Sequence, residues 1–198
     1  MTAAAARRGR PGYDLESLLR VAVGLFNERG YDGTSMDDLS RRLGISKSAI
    51  YHHVRSRDDL LHLALDRALD GLFALAAEVE EHDGGAIERL EHLVRGSVLL
   101  LVDRLPFVTL LLRVRGNTDA ERAALARRRE FDGLVATLVA RAVEDGDLRA
   151  DIDPATAARL LFGMVNSLVE WYRPDGDVRA ADLADAVAAT AFTGLRVR

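Results

Sequence analysis

The stretch Thr34 to Val54, TSMDDLSRRLGISKSAIYHHV, constrains this chain more than any other. Thr34 and Ser35 are helix N-cap types, and Asp38 sits three residues after Ser35, the spacing of a capping box. Met36, Leu39 and Leu43 then repeat at helical spacing, and Gly44 stands where a helix end takes a left-handed residue. Ile45 re-enters the core, and Ser46 can cap a second short helix through Lys47, Ser48, Ala49, Ile50, Tyr51 and His52. The spacing predicts Ala49 and Ile50 facing inward and Lys47, Ser48, Tyr51 and His52 facing outward. A short helix with a small polar, basic and aromatic outer face suits the major groove of double-stranded DNA, which admits one helix. Hydroxyls donate to phosphate oxygens, Lys47 can neutralise a phosphate or reach a guanine edge, and Tyr51 and His52 can bond phosphate or pack on a thymine methyl. Taken alone, the same helix reads equally well as the solvated side of a small domain.

Charge favours the first alternative once the chain is divided. The net charge is -4. Residues 1–57 hold ten Arg or Lys against six Asp or Glu, a net of +4, whereas residues 58–198 hold seventeen against twenty-five, a net of -8. Positive charge therefore gathers on the end that carries the helix pair. Lys47 is the only lysine. Arg8 and Arg10, in Arg8-Gly9-Arg10-Pro11, resemble the core of an AT-hook, an arm that lies in a narrow minor groove; a solubilising basic tail is the alternative.

The absence of cysteine removes disulfides and thiolate metal sites and makes a reducing cytoplasm the expected compartment. No apolar signal-peptide core follows the N-terminus. The most apolar run, Val98 to Leu112, is interrupted by Asp103, Arg104 and Pro106, so it reads as buried helix and no membrane partner is expected.

In chain order, residues 1–12 have no apolar periodicity and are predicted to be a disordered basic arm. Asp14 can cap a first helix with Leu15, Leu18, Leu19, Ala22, Leu25 and Phe26 on its inward stripe. After Val54, Ser56 and Asp59 form a second capping box that opens a long helix to about Glu80. Asp83-Gly84-Gly85 breaks the chain, and helices follow over about 86–102, near Pro106, 120–144, 154–172 and 180–195. No segment alternates with period two, so the fold class is all-α with about nine helices. The domain reading is an arm at 1–12, a helix-turn-helix domain at 13–57, a connecting helix at 58–82 and a second domain at 83–198. The last two helices carry much apolar surface: Leu160, Leu161, Met164 and Leu168 on one, and Leu183, Val187 and Ala191 on the other. They are either a homodimer interface or inner helices of one subunit.

Residues 14–69 resemble the N-terminal DNA-binding domain of the TetR family of transcriptional regulators. The resemblance is carried by Leu25-Phe26, Gly30-Tyr31, Gly33-Thr34-Ser35, Leu43-Gly44-Ile45-Ser46, Ile50-Tyr51-His52-His53 and Arg57 to Leu60, with Val54 where the family often has an aromatic. It implies that Thr34, Ser35, Tyr51, His52 and Arg57 touch phosphates and that Ser46, Lys47 and Ser48 lie nearest the bases. It also implies a dimer joined by the last two helices, and a second domain whose small-molecule effector releases a palindromic operator. Val98, Leu101, Phe107, Leu111, Phe131, Phe162 and Trp171 are candidates to line such a pocket, with Asn166, Thr109 and Arg113 as polar members; each apolar one is more often a plain core residue. Residues 119–176 are similar to members that answer to acyl-coenzyme A thioesters. Those members tend to show Asn-Trp-x-x-Arg-Trp-Tyr; this chain keeps Asn166, Trp171 and Tyr172 but has Ser167 and Glu170 in place of the aromatic plate and the phosphate-pairing cation. A different or smaller organic effector therefore stays open.

The other classes to weigh are an effector-independent architectural DNA-binding protein and a helical enzyme. The chain has no Gly-x-Ser-x-Gly elbow, phosphate loop or His-Glu-x-x-His, so no catalytic residue, cofactor or metal is expected. Glu88 and His92 share a helix face, but two ligands do not make a metal site, and adjacent His52 and His53 point apart.

Overall fold

A computed structural model describes residues 14–195. Arg8, Arg10 and the arm lie outside those residues. The described residues form nine helices and no strand: α1 Leu15–Arg29, α2 Met36–Leu43, α3 Lys47–Tyr51, α4 Arg57–Glu80, α5 Ala86–Asp103, α6 Leu105–Arg113, α7 Asp119–Glu144, α8 Pro154–Trp171 and α9 Ala180–Leu195. The all-α architecture follows the 3.6-residue periodicity of the sequence.

Each early helix begins where its cap residue dictates. Asp14 accepts from the Ser17 backbone N–H at 2.8 Å. Ser35 and Asp38 form the complete capping box of α2, and Ser56 accepts from Asp59 N–H at 3.0 Å to open α4. Gly30 and Gly44 end α1 and α2 at φ 79° and 66°, in the region glycine enters without a Cβ clash.

The first helices close on a small core of Leu18, Ala22, Val23, Leu25, Phe26, Leu39, Leu43, Ile50, Val54, Leu60 and Leu61, all buried. A fully buried leucine or isoleucine is worth about 1.5–3 kcal/mol, so this head is held chiefly by apolar burial.

The body is built around α4 and α5. Where they cross, a Cβ on Gly71 would lie 2.8 Å from Leu100 Cδ1, and one on Gly96 would lie 2.7 Å from Leu75 Cδ1. A larger residue at either position would make the facing leucine shift. Arg127 of α7 donates to Asp66 at 2.8 Å and to Asp70 at 2.7 Å on α4, and its guanidinium lies 5.1 Å from the Phe73 ring centroid. Phe73 meets Phe131 edge-on at 6.0 Å, and Phe131 meets Phe162 of α8 at 5.1 Å. Burial opposes the Arg127 charge, but Asp70 and Asp66 raise its pKa above the ordinary value. Glu121, buried at the start of α7, accepts backbone N–H bonds from Arg115, Gly116 and Asn117 at 3.2, 2.8 and 2.6 Å and so pins the connection from α6.

Head and body are joined by α6. The Asn27 side-chain amide donates to the Pro106 carbonyl at 2.8 Å, and Arg113 donates to the Asn27 carbonyl at 3.1 Å. Arg104 donates to the Arg67 carbonyl at 2.6 Å, and Arg67 pairs with Glu16 of α1.

The apolar positions of α8 and α9 divide into two sets, which corrects the interface expected from sequence. Leu161 and Leu168 are buried inside the protomer, and Leu183, Val187 and Ala191 are buried as well. α9 packs mainly on α5, where Arg95 pairs with Asp185. These leucines and their neighbours are core because each helix has an inward face to satisfy first. The outward stripe of α8 is Leu160, Gly163, Met164, Ser167 and Trp171, with Leu160 62% and Trp171 52% exposed.

Candidate nucleic-acid interface

The helix pair sets α3 by three local devices. Ser46 accepts from the Ala49 backbone N–H at 3.2 Å, Ser40 donates its hydroxyl to the Ile45 carbonyl at 2.5 Å, and Ile50 is fully buried. With Ile50 fixed inward, Lys47, Ser48, Tyr51 and His52 stand exposed on the opposite side, and Ser35 and Ser46 are exposed at the two helix starts.

Two expected phosphate contacts are placed differently. Thr34 is buried, and its hydroxyl donates to the Gly30 carbonyl at 2.9 Å; a hydroxyl turned into the α1–α2 turn has no reach to a phosphate. Its carbonyl accepts from Arg57 at 2.6 Å, and the Arg57 guanidinium lies 4.1 Å over the Tyr31 ring. Arg57 is thus a brace between α4 and the turn before α2. Nothing in the local sequence marks this, because the three groups meet only in the folded head.

Four basic side chains of the head are paired with acids. Arg41 and Arg29 reach Asp38 at 2.6 and 3.4 Å, Arg42 reaches Glu28 at 2.7 Å, and Lys47 reaches Asp37 at 2.7 Å. Hydrogen bonds from Ser35, then the charges of Arg41 and Arg29, hold the Asp38 carboxyl below its ordinary pKa. The residue that sequence reasoning missed is Asp37. It is ordinary in a helix's first turn, and only the fold brings it against the start of α3.

In the body, Phe107, Leu111, Phe131 and Phe162 are buried core residues, and Asn166 is half-buried on α8. Arg113 is exposed and bonded to Asn27, so it belongs to the seam between head and body and not to an interior pocket. Trp171, on the outward stripe of α8, does not line the protomer interior. An open cleft of about 420 Å³ lies where the first turns of α4 and α7 face each other, lined in part by Arg55, His62, Asp58, Asp59 and Asp119. Its three carboxylates make it hostile to a phosphate-bearing ligand. No group of three or more His, Asp or Glu side chains among the described residues could hold a metal, and none of the described helices is long and apolar enough to cross a membrane.

A helix-turn-helix head with an exposed short helix, carried on an all-helical body, defines a DNA-binding transcription regulator. Residues 18–64 match the family described as bacterial regulatory proteins, tetR family, and residues 83–195 match the tetracyclin repressor-like C-terminal domain. The chain belongs to the TetR family of transcriptional regulators. It is similar to SCO3833 of Streptomyces coelicolor, a TetR family member, with 55% identity, coverage of 93% of this chain and 94% of that one, and a TM-score of 0.84. It is 29% identical to the HTH-type transcriptional repressor KstR2 of Rhodococcus jostii over 196 residues, covering 94% of this chain and 93% of the relative. AibR, solved in complex with isovaleryl coenzyme A and operator DNA, is 25% identical, with coverage of 89% and 97% and a TM-score of 0.75.

Proposed function

We propose that the chain is a homodimeric repressor that holds a palindromic operator and is released from it by a small organic effector. The observation that carries this is the exposed face of α3, with Lys47, Ser48, Tyr51 and His52 presented together on a helix anchored by Ile50. Ser35, Ser46, Tyr51 and His52 supply hydroxyl, backbone and imidazole donors for phosphates and groove edges. Two copies are joined through the outward stripe of α8, where Leu160, Met164 and Trp171 leave apolar surface in water. Pairing these faces sets two α3 helices at one spacing, which a palindrome matches.

The effector enters the helical body among α5, α7 and α8. AibR is a fold relative solved with isovaleryl coenzyme A, but here Ser167 and Glu170, both exposed on α8, stand where the resembled acyl-coenzyme A-responsive members tend to have an aromatic and a cation. An apolar organic molecule without a phosphate-bearing carrier fits this body better.

The test is anisotropy titration of the full chain against duplexes from its own upstream region and against scrambled DNA, at several salt concentrations. A palindrome bound at least a thousandfold tighter than scrambled DNA, and loss of that binding with an apolar organic acid, ester or ketone but not with its coenzyme A thioester, supports the reading. Equal affinity for all duplexes makes the protein an architectural binder.

A further inference from the structure

We propose that Asp37 is a specificity-determining residue, holding Lys47 off the phosphate backbone so that the lysine is released only where the duplex offers it a guanine edge. The inference rests on the DNA-reading role of α3 and goes beyond it by assigning a task to a residue of α2.

The geometry is simple. Lys47 Nζ lies 2.7 Å from Asp37 Oδ1, with the two side chains 48% and 64% exposed. The pair therefore sits at the surface, at the start of the helix that would enter the groove. An exposed pair of this kind biases its partners by about fivefold at most, enough to tip a choice and too little to block one. Lys47 is the only lysine of the chain and the one cation on α3.

Asp37 has a consequence that differs between two kinds of duplex. On unrelated DNA, the head is held by backbone contacts, and Lys47 could exchange a carboxylate only for a phosphate. That trade swaps one anion for another and gains little. In a fitted groove, guanine O6 and N7 both accept from an ammonium group, and water is squeezed from between them. Lys47 then gains more than it leaves. Asp37 thus subtracts one phosphate contact per head from non-specific binding while leaving the specific contact available. The surrounding pairs do not substitute for it, because Asp38 is already shared by Arg29, Arg41 and the Ser35 cap, and Glu28 is held by Arg42.

The test uses the full chain, a palindrome that it selects from random duplexes, and a scrambled duplex of the same composition. Affinity is measured from low to moderate salt for the wild type, Asp37→Asn, Asp37→Glu, Lys47→Met and the Asp37→Asn/Lys47→Met double variant. Both positions are exposed, and circular dichroism checks that each variant is folded. Asp37→Asn should bind the scrambled duplex up to about fivefold more tightly per bound head, with a salt dependence steeper by about one contact per bound head, while its salt dependence on the palindrome stays unchanged. Lys47→Met should lose about tenfold on the palindrome and nothing on the scrambled duplex. The double variant should return scrambled binding to the wild-type level, and Asp37→Glu should keep wild-type discrimination. An equal gain on both duplexes would make Asp37 a bystander charge; no change on either, or an equal loss for Lys47→Met on both, also overturns the proposal. Failure of the wild type to select any palindrome would instead remove the DNA-reading role itself.

Discussion

Asn27, in the last turn of α1, gives its side-chain amide to the carbonyl of Pro106 in the first turn of α6 at 2.8 Å. One hydrogen bond of about 1 kcal/mol thereby ties the reading head to the body, and Arg113 adds a second strand to the same knot by donating to the Asn27 carbonyl. Asn27→Ala should lower stability by about 1 kcal/mol in urea unfolding. It should also speed amide exchange in α1–α3 more than in α7 and α8. Equal acceleration throughout would show that the bond contributes to global stability alone.

The outward face of α8 predicts a clean separation of assembly from folding. Leu160→Arg with Trp171→Arg should give a folded monomer by light scattering, because both side chains already face solvent in the protomer. Leu161→Arg should instead unfold the body, since it places a charge in the core. A dimeric mass for the first variant would put the interface elsewhere.

Tyr51 is 49% exposed on the outer side of α3. Tyr51→Ala should weaken binding to operator and scrambled duplex alike by about tenfold, the loss expected for one phosphate contact of about 1–2 kcal/mol, with an unchanged melting temperature. Loss on the operator alone would reassign Tyr51 to a base.

Arg127 joins α7 to α4 through two carboxylates and the face of Phe73. The site is about one-third exposed, so solvent screens the pairs, and Arg127→Ala should cost only about 1 kcal/mol. High salt should narrow the gap to wild type in thermal melts.

Acid should loosen α2 through its cap. The folded pKa of Asp38 is depressed from 3.8, so its contribution is fully present above that value and is lost as pH falls from there through the folded value. Asp38→Asn should flatten the decline in helicity across that window, as followed by circular dichroism.

The helices were legible because their signals are local. Ser35 with Asp38, Ser56 with Asp59, and the stop at Gly44 each act within a few residues. The outward set on α3 was legible for the same reason, since burying Ile50 decides where its neighbours point. Long-range facts were not. Periodicity marks Leu161 and Leu168 as apolar without saying whether α5, α7 or a second copy covers them. Nor does it show that Thr34 turns inward, that Arg57 stacks on Tyr31, or that Lys47 meets Asp37 ten positions away.

α4 runs unbroken for 24 residues, about 36 Å, from the head into the body. A stiff rod converts angle into distance. Swinging it by about five degrees sweeps its tip through about 3 Å, close to the 3.4 Å step between stacked base pairs. Two heads carried in opposite senses would fall out of phase with the double helix while every bond inside each head stayed intact.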